Sequence, residues 1–283
     1  MADALTLMAV HAHPDDESIS TGGVLARYAE EGLRTVLVTC TGGEVGEIAD
    51  PRLATPETLV EVRRRELRQA CEILRVGRLY LLGYRDSGML GTPDNKHPAS
   101  FHQASLEEAT ARLVALVRRE RPQVLVTYDE NGFYGHPDHI KAHQITAAAY
   151  EAASDPARWP EAGEPWRPAK LYYTAVARSK IKSFGRLLRE AGIEAPFEGG
   201  EAREPDIGTP DELITTEIDV SPQVERKRQA LMAHASQMGP EVFFAKMPPA
   251  LFHRIFGRES FQLARGQSGA SGLESDLFAG LRG

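Results

Sequence analysis

The sequence is defined first by what it lacks. Nowhere in its 283 residues is there a run of the about 18 apolar positions that a membrane-crossing helix needs, and the N-terminus has neither a basic lead nor a cleavage motif. A soluble, cytoplasmic protein without a membrane partner is the expectation. Cysteine is nearly absent: Cys40 and Cys71 each lie in or beside an apolar run, which suits two buried free thiols and argues against a disulfide scaffold or a Cys-based zinc site. Positive charge is also short. Lys and Arg number 33 against 40 Asp and Glu, for a net charge of −7, and they are scattered, which argues against a nucleic-acid partner. There is no internal repeat of solenoid length.

What is present alternates two periods. The runs "LTLMAV" (5–10), "LRTVLVT" (33–39), "RLYLLG" (78–83) and "QVLVTY" (123–128) have the character of buried strands. Helical patterns separate them at 22–31, 56–75, 106–120 and 137–153. Strand and helix in alternation predict parallel crossovers and a doubly wound α/β sheet, whose ligands collect beyond the carboxyl ends of the strands. Further on come a Pro-rich loop (154–170), the strand "KLYYTAVA", a Gly-, Pro- and acid-rich loop or lid (196–212) and the strand "LITTEIDV". A helix capped by Ser221 is then expected from Pro222 to about Gln237.

The polar residues cluster where such a sheet would bind ligands. "VHAHPDDES" (10–18) follows the first strand and "YGHPDH" (134–139) the fourth, each at the start of a helix. On one sheet edge, His13, Asp16 and His139 would offer two imidazoles and a carboxylate, a set suited to one zinc ion with a fourth position open to water; iron(II) would satisfy the same donors. Asp15, pointing differently from its neighbour, is then free to act as general base. His136, if Asp138 or another carboxylate holds it protonated, could stabilise an oxyanion or protonate a leaving amine, and Tyr134 could place its hydroxyl on the same oxyanion. An Asp after Pro at a helix start is more often a cap than a ligand. Two such motifs at equivalent strand ends, with two carboxylates costly to bury unpaired, point instead to a metal site. His11 and His143 are read as supporting residues, and His234 as a satisfied helix histidine.

Three further residues are candidate substrate contacts. "TGGEVG" (41–46) lacks the spacing of a dinucleotide fingerprint, so a nucleotide-binding module is the weaker reading; Glu44 could meet a hydroxyl or be solvated. In "YRDSGMLGT" (84–92), Asp86 could grip a sugar or pair with Arg85, and Arg63 in "EVRRREL" (61–67) reaches the site if its helix start faces it. A His-x-His amidohydrolase barrel would need eight strand–helix units that this chain does not provide.

"HAHPDDES", "VTYDENGFYGHPDHIKAH", "YRDSGMLGT", "KRQALMAHASQM" and "ESDLFAGL" together resemble the LmbE-like (PIG-L) zinc-dependent de-N-acetylases, and within them the branch that deacetylates N-acetylglucosaminyl-inositol in mycothiol biosynthesis. The resemblance spans most of the chain. It implies a Rossmann-like fold, zinc on His13, Asp16 and His139, Asp15 as base, His136 oriented by Asp138, Tyr134 at the oxyanion, and Arg63, Asp86 and Glu44 on the substrate. A small-molecule amino-sugar conjugate is the implied substrate, a mycothiol S-conjugate the alternative, and a homo-oligomer is compatible with it. The expected organisation is a catalytic core (1–178), a C-terminal α+β part completing the substrate site (179–265), and a flexible tail (266–283) ending in an apolar knob able to dock.

Overall fold

The computed structural model describes residues 5–194 and 207–282. Most of the loop or lid expected at 196–212 lies outside the described residues. In chain order the elements are β1 (Thr6–His11), α1 (Asp16–Ser20), α2 (Gly22–Glu30), β2 (Arg34–Thr41), α3 (Leu59–Leu74), β3 (Arg78–Tyr84), α4 (Leu106–Glu120), β4 (Val124–Thr127), α5 (Gly132–Gly135) and α6 (Pro137–Ala152). They continue with β5 (Lys170–Ala175), α7 (Arg178–Glu190), β6 (Thr216–Asp219), α8 (Val224–Ala233), α9 (Phe243–Lys246), α10 (Pro249–Phe256) and β7 (Arg258–Arg265).

One sheet runs in the order β3-β2-β1-β4-β5-β7-β6. β1 to β5 are parallel, and β7 lies antiparallel between β5 and β6. Strand β1 is buried at all six positions because helices cover both faces: Leu7 and Ala9 enter one apolar layer, Met8 and Val10 the other. The helices follow local rules. α4 begins where the Ser105 hydroxyl accepts the Glu108 N–H, buries Ala109, Leu113, Val114 and Val117 on one stripe, and stops at Arg121, left-handed and followed by proline.

Three expectations need correction. Strand β7, unread in the sequence, joins residues beyond 179 to the same sheet as the core. The helix expected at 222–237 is shorter because the chain turns inward after Ala233, where the Ser236 N–H and hydroxyl bond to the buried Glu66 carboxylate. The segment read as a flexible tail is laid on the protein, and the apolar knob expected to dock does so: Leu277 and Phe278 are fully buried, and Glu274 bonds to Lys170 at 2.8 Å and to the Tyr172 hydroxyl at 2.5 Å. Among the described residues, no helix is long and apolar enough to cross a membrane.

Reversing the crossover direction between β1 and β4, which are neighbours, opens a crevice beyond their carboxyl ends. The two His-Pro-Asp motifs follow these two strands.

Candidate active site

From β1 the chain turns sharply into α1 through Asp15, whose φ of +110° is a conformation that side chains other than glycine's avoid. The turn sends successive carboxylates apart. Asp16 Oδ2 lies 3.3 Å from His13 Nδ1, and Asp16 Oδ1 lies 3.5 Å from His139 Nε2. These spacings match the edge of a tetrahedron with metal bonds of about 2.0–2.1 Å. The other nitrogen of each imidazole is engaged elsewhere: His13 Nε2 faces Asp138 Oδ2 at 3.3 Å, and His139 Nδ1 meets the Gly132 carbonyl at 3.2 Å. His139 Nε2 is buried without a hydrogen-bond partner. A buried donor nitrogen left open, opposite one already oriented by a carbonyl, is the arrangement a metal-ligating histidine needs.

The electrostatics agree. Burial opposes a charge on His13, but its hydrogen bonds to Asp138, Asp16 and Asp86 outweigh that and hold its pKa well above the usual range. Burial likewise disfavours Asp16 as an anion, yet His139 and His13 draw its pKa well below normal. The cluster therefore attracts positive charge to the point where the donors converge. Among the described residues, the groups whose donor atoms all lie within 4.8 Å of one another are His13, His136 and His139, and His13, Asp86 and Asp138; Asp16 joins them through its separate contacts with His13 and His139.

Asp15 sits beside this centre, pushed up to about 6 by burial against the opposing pull of Arg63. His136 caps α6: its Nδ1 accepts the Asp138 N–H at 3.2 Å, which leaves the proton of the neutral ring on Nε2. Burial and the nearby His13 lower the His136 pKa, so the ring is a neutral donor. Asp138 thus orients His136 through its main-chain N–H and not through its carboxylate, and the ring it holds is the neutral one. The Asp138 carboxylate is committed to His13 Nε2 and to the Ser87 N–H and hydroxyl. Tyr134 follows a kink at Phe133 (φ +65°); its ring stands edge-on to His139 at 5.0 Å, partly open to solvent.

The three candidate substrate contacts all lie at the site, each already bonded to a neighbouring group. Arg63 does reach the site, but it is 3 % exposed and holds Asp15 Oδ2 at 3.0 Å together with the Pro14 and Gly43 carbonyls. Gly43 and Gly46 of "TGGEVG" make room for that guanidinium: a Cβ on them would come within 2.2 and 2.5 Å of it. Glu44 accepts the Asp86 N–H on Oε2 at 2.8 Å. Asp86 is buried, 3.5 Å from His13 Nε2, while Arg85 pairs with Asp94 rather than with it.

His11 supports from below, 2.9 Å from the Thr21 hydroxyl and 3.2 Å from that of Tyr128. His143 meets the Tyr128 carbonyl, away from the centre. Tyr128 itself escaped the sequence reading. Its hydroxyl donates to Asp16 Oδ2 at 2.7 Å, and its ring stacks on His139 at 4.2 Å. The signal was its place at the end of β4, beside β1, on the edge that carries both motifs. Ser87 carries no such mark.

The chain is similar to known proteins in both sequence and fold. A family model described as PIG-L, GlcNAc-PI de-N-acetylase, matches residues 8–150. The 1D-myo-inositol 2-acetamido-2-deoxy-alpha-D-glucopyranoside deacetylase 1 of Catenulispora acidiphila is 46% identical over 290 residues, covering 98% of this chain and 90% of the relative. The like-named deacetylase of Geodermatophilus obscurus is 44% identical over 294 residues, covering 100% of both chains. Among solved structures, the N,N'-diacetylchitobiose deacetylase of Pyrococcus horikoshii superposes with a TM-score of 0.64 at 18% identity, over 92% of this chain and 84% of that one, and so shares the fold.

Proposed function

This chain belongs to the PIG-L family of GlcNAc-PI de-N-acetylases, and from that premise we propose that it is a zinc-dependent hydrolase that removes the acetyl group of N-acetylglucosaminyl-inositol. The products are the free amine and acetate. The reading is supported by the Asp16 carboxylate, which stands 3.3 Å from His13 Nδ1 through one oxygen and 3.5 Å from the open Nε2 of His139 through the other, with Asp15 next to it in the chain. The substrate class is taken from the full-length relatives.

Zinc held by His13, Asp16 and His139 would supply a Lewis acid able to bring the pKa of water down toward about 7. Asp15 takes a proton from the attacking water as its oxygen bonds to the amide carbon. The Nε2–H of His136 and the hydroxyl of Tyr134 donate hydrogen bonds to the carbonyl oxygen as it gains charge. When the carbon–nitrogen bond breaks, the proton kept on Asp15 passes to the leaving nitrogen, so water is divided between acetate and amine. Arg63 holds Asp15 beside the reacting centre, and Asp138 keeps the His13 ring turned.

The test is release of primary amine from N-acetylglucosaminyl-inositol, followed by fluorescent labelling, for protein stripped of metal and then given one equivalent of zinc. Turnover that returns with zinc supports the reading. Zinc-loaded protein that leaves this substrate intact would refute it.

A further inference from the structure

Asp15, Asp16 and Glu17 are three consecutive carboxylates, and each faces a different group. Asp15 meets Arg63, Asp16 meets His13 and His139, and Glu17 meets His234. The first two pairs belong to the chemistry. The third does not touch it, yet both partners are fully buried, where a carboxylate is retained only with its bonds made.

Glu17 works as a bridge. Its Oε2 accepts the Asp15 N–H at 3.0 Å, while its Oε1 accepts from the Ser18 hydroxyl at 2.5 Å and from His234 Nε2 at 2.8 Å. The Asp15 main chain is the strained point of the turn, at φ +110°, and the Glu17 carboxylate is what ties its N–H. His234 is fixed in turn. It ends α8, the Gln237 and Met238 N–H groups bond to its carbonyl, and Ser236 is anchored on Glu66.

We propose that the Glu17–His234 pair is the positioning device for Asp15: His234, reaching across 217 positions of sequence, locks the Glu17 carboxylate, and Glu17 holds the Asp15 main chain where its carboxylate meets the water. This rests on Asp15 being the base. It gives the C-terminal part a role in turnover without contact with substrate. Loss of the His234 bond frees Glu17 to rotate, releases the Asp15 N–H, and lets the turn relax toward ordinary backbone angles. The metal donors, held by Tyr128, Asp138 and Gly132, stay in place.

The experiment compares His234→Leu, His234→Gln, Glu17→Gln and Asp15→Asn by steady-state kinetics, zinc content and chelator competition. His234→Leu should lower kcat at least thirtyfold with KM within threefold of wild type, one zinc per chain and unchanged zinc affinity. His234→Gln, which keeps a donor for Glu17, should restore most of that loss. Glu17→Gln keeps the shape of the side chain but has one acceptor oxygen for the three donors that the carboxylate serves. It should lower kcat at least tenfold, and it serves as the test if His234→Leu does not fold. Unchanged kcat in His234→Leu or, failing its folding, in Glu17→Gln overturns the proposal, as does loss of zinc in parallel with activity or failure of His234→Gln to recover. An Asp15→Asn variant that stays active would instead refute the base assignment, so the two failures are distinguishable.

Discussion

Beyond the carboxyl ends of β1 and β4, Asp16, Asp86 and Asp138 are buried around His13 and His139; at the opposite edge, where β5 begins, Glu274 is buried against Lys170 and Tyr172. Both clusters bury charge, but they complete it differently. Glu274 receives Lys170 Nζ and the Gly269 N–H on one oxygen and the Tyr172 and Thr216 hydroxyls on the other, so its bonds close within the protein. At the first cluster His139 Nε2 has no partner, and three carboxylates surround a single His13. A buried cluster that satisfies itself is a clasp, here pinning the C-terminal segment to the sheet. One that leaves a donor open and draws in positive charge is a binding site.

The contrast can be broken from either side. Asp15→Asn should cost the most, lowering kcat by about 10²–10⁴-fold, the range of a lost general base, while zinc content stays at one per chain. At the clasp, Lys170→Met strands a buried carboxylate and should destabilise the fold by about 3–5 kcal/mol in denaturant melts. The double variant Lys170→Met/Glu274→Leu should recover much of that loss, and KM should stay near wild type wherever the protein is folded. Asp138→Asn should weaken zinc binding by about 10–100-fold in chelator competition, because it removes the anion that turns the His13 ring. Breaking the exposed pair of Arg158 with Glu107 by Arg158→Ala should change stability by no more than about 1 kcal/mol and leave zinc binding alone.

The parallel half of the sheet was legible because β1, β2 and β4 are continuous apolar runs, a pattern that burial on both faces imposes. The clustering of His13, Asp16 and His139 was legible because two histidine–carboxylate motifs follow strands that a doubly wound order makes neighbours. Strand β7, "RESFQLAR", was not: it starts directly after α10, and only Glu259, Ser260 and Phe261 are buried, so it shows neither a long apolar run nor a clean alternation. Partners on loops were hidden too. Nothing local says that Arg63 will meet Asp15 rather than a substrate, or that Ser87 will take the Asp138 carboxylate, because those pairings depend on how β2 and β3 deliver their loops to one crevice. His234 could be read as a satisfied helix histidine, but the partner of its Nε2 lay 217 residues away and its Nδ1 has no hydrogen-bond partner among the described residues.

The most direct test of the central contrast is zinc analysis of purified wild type beside His139→Ala and Asp86→Ala, with deacetylation of N-acetylglucosaminyl-inositol assayed on the same samples. The expected result is one zinc per chain in wild type, loss of zinc and turnover together in His139→Ala, and zinc retained in Asp86→Ala. Zinc retained in His139→Ala but lost in Asp86→Ala would place the ion on the other face of His13 and contradict the account.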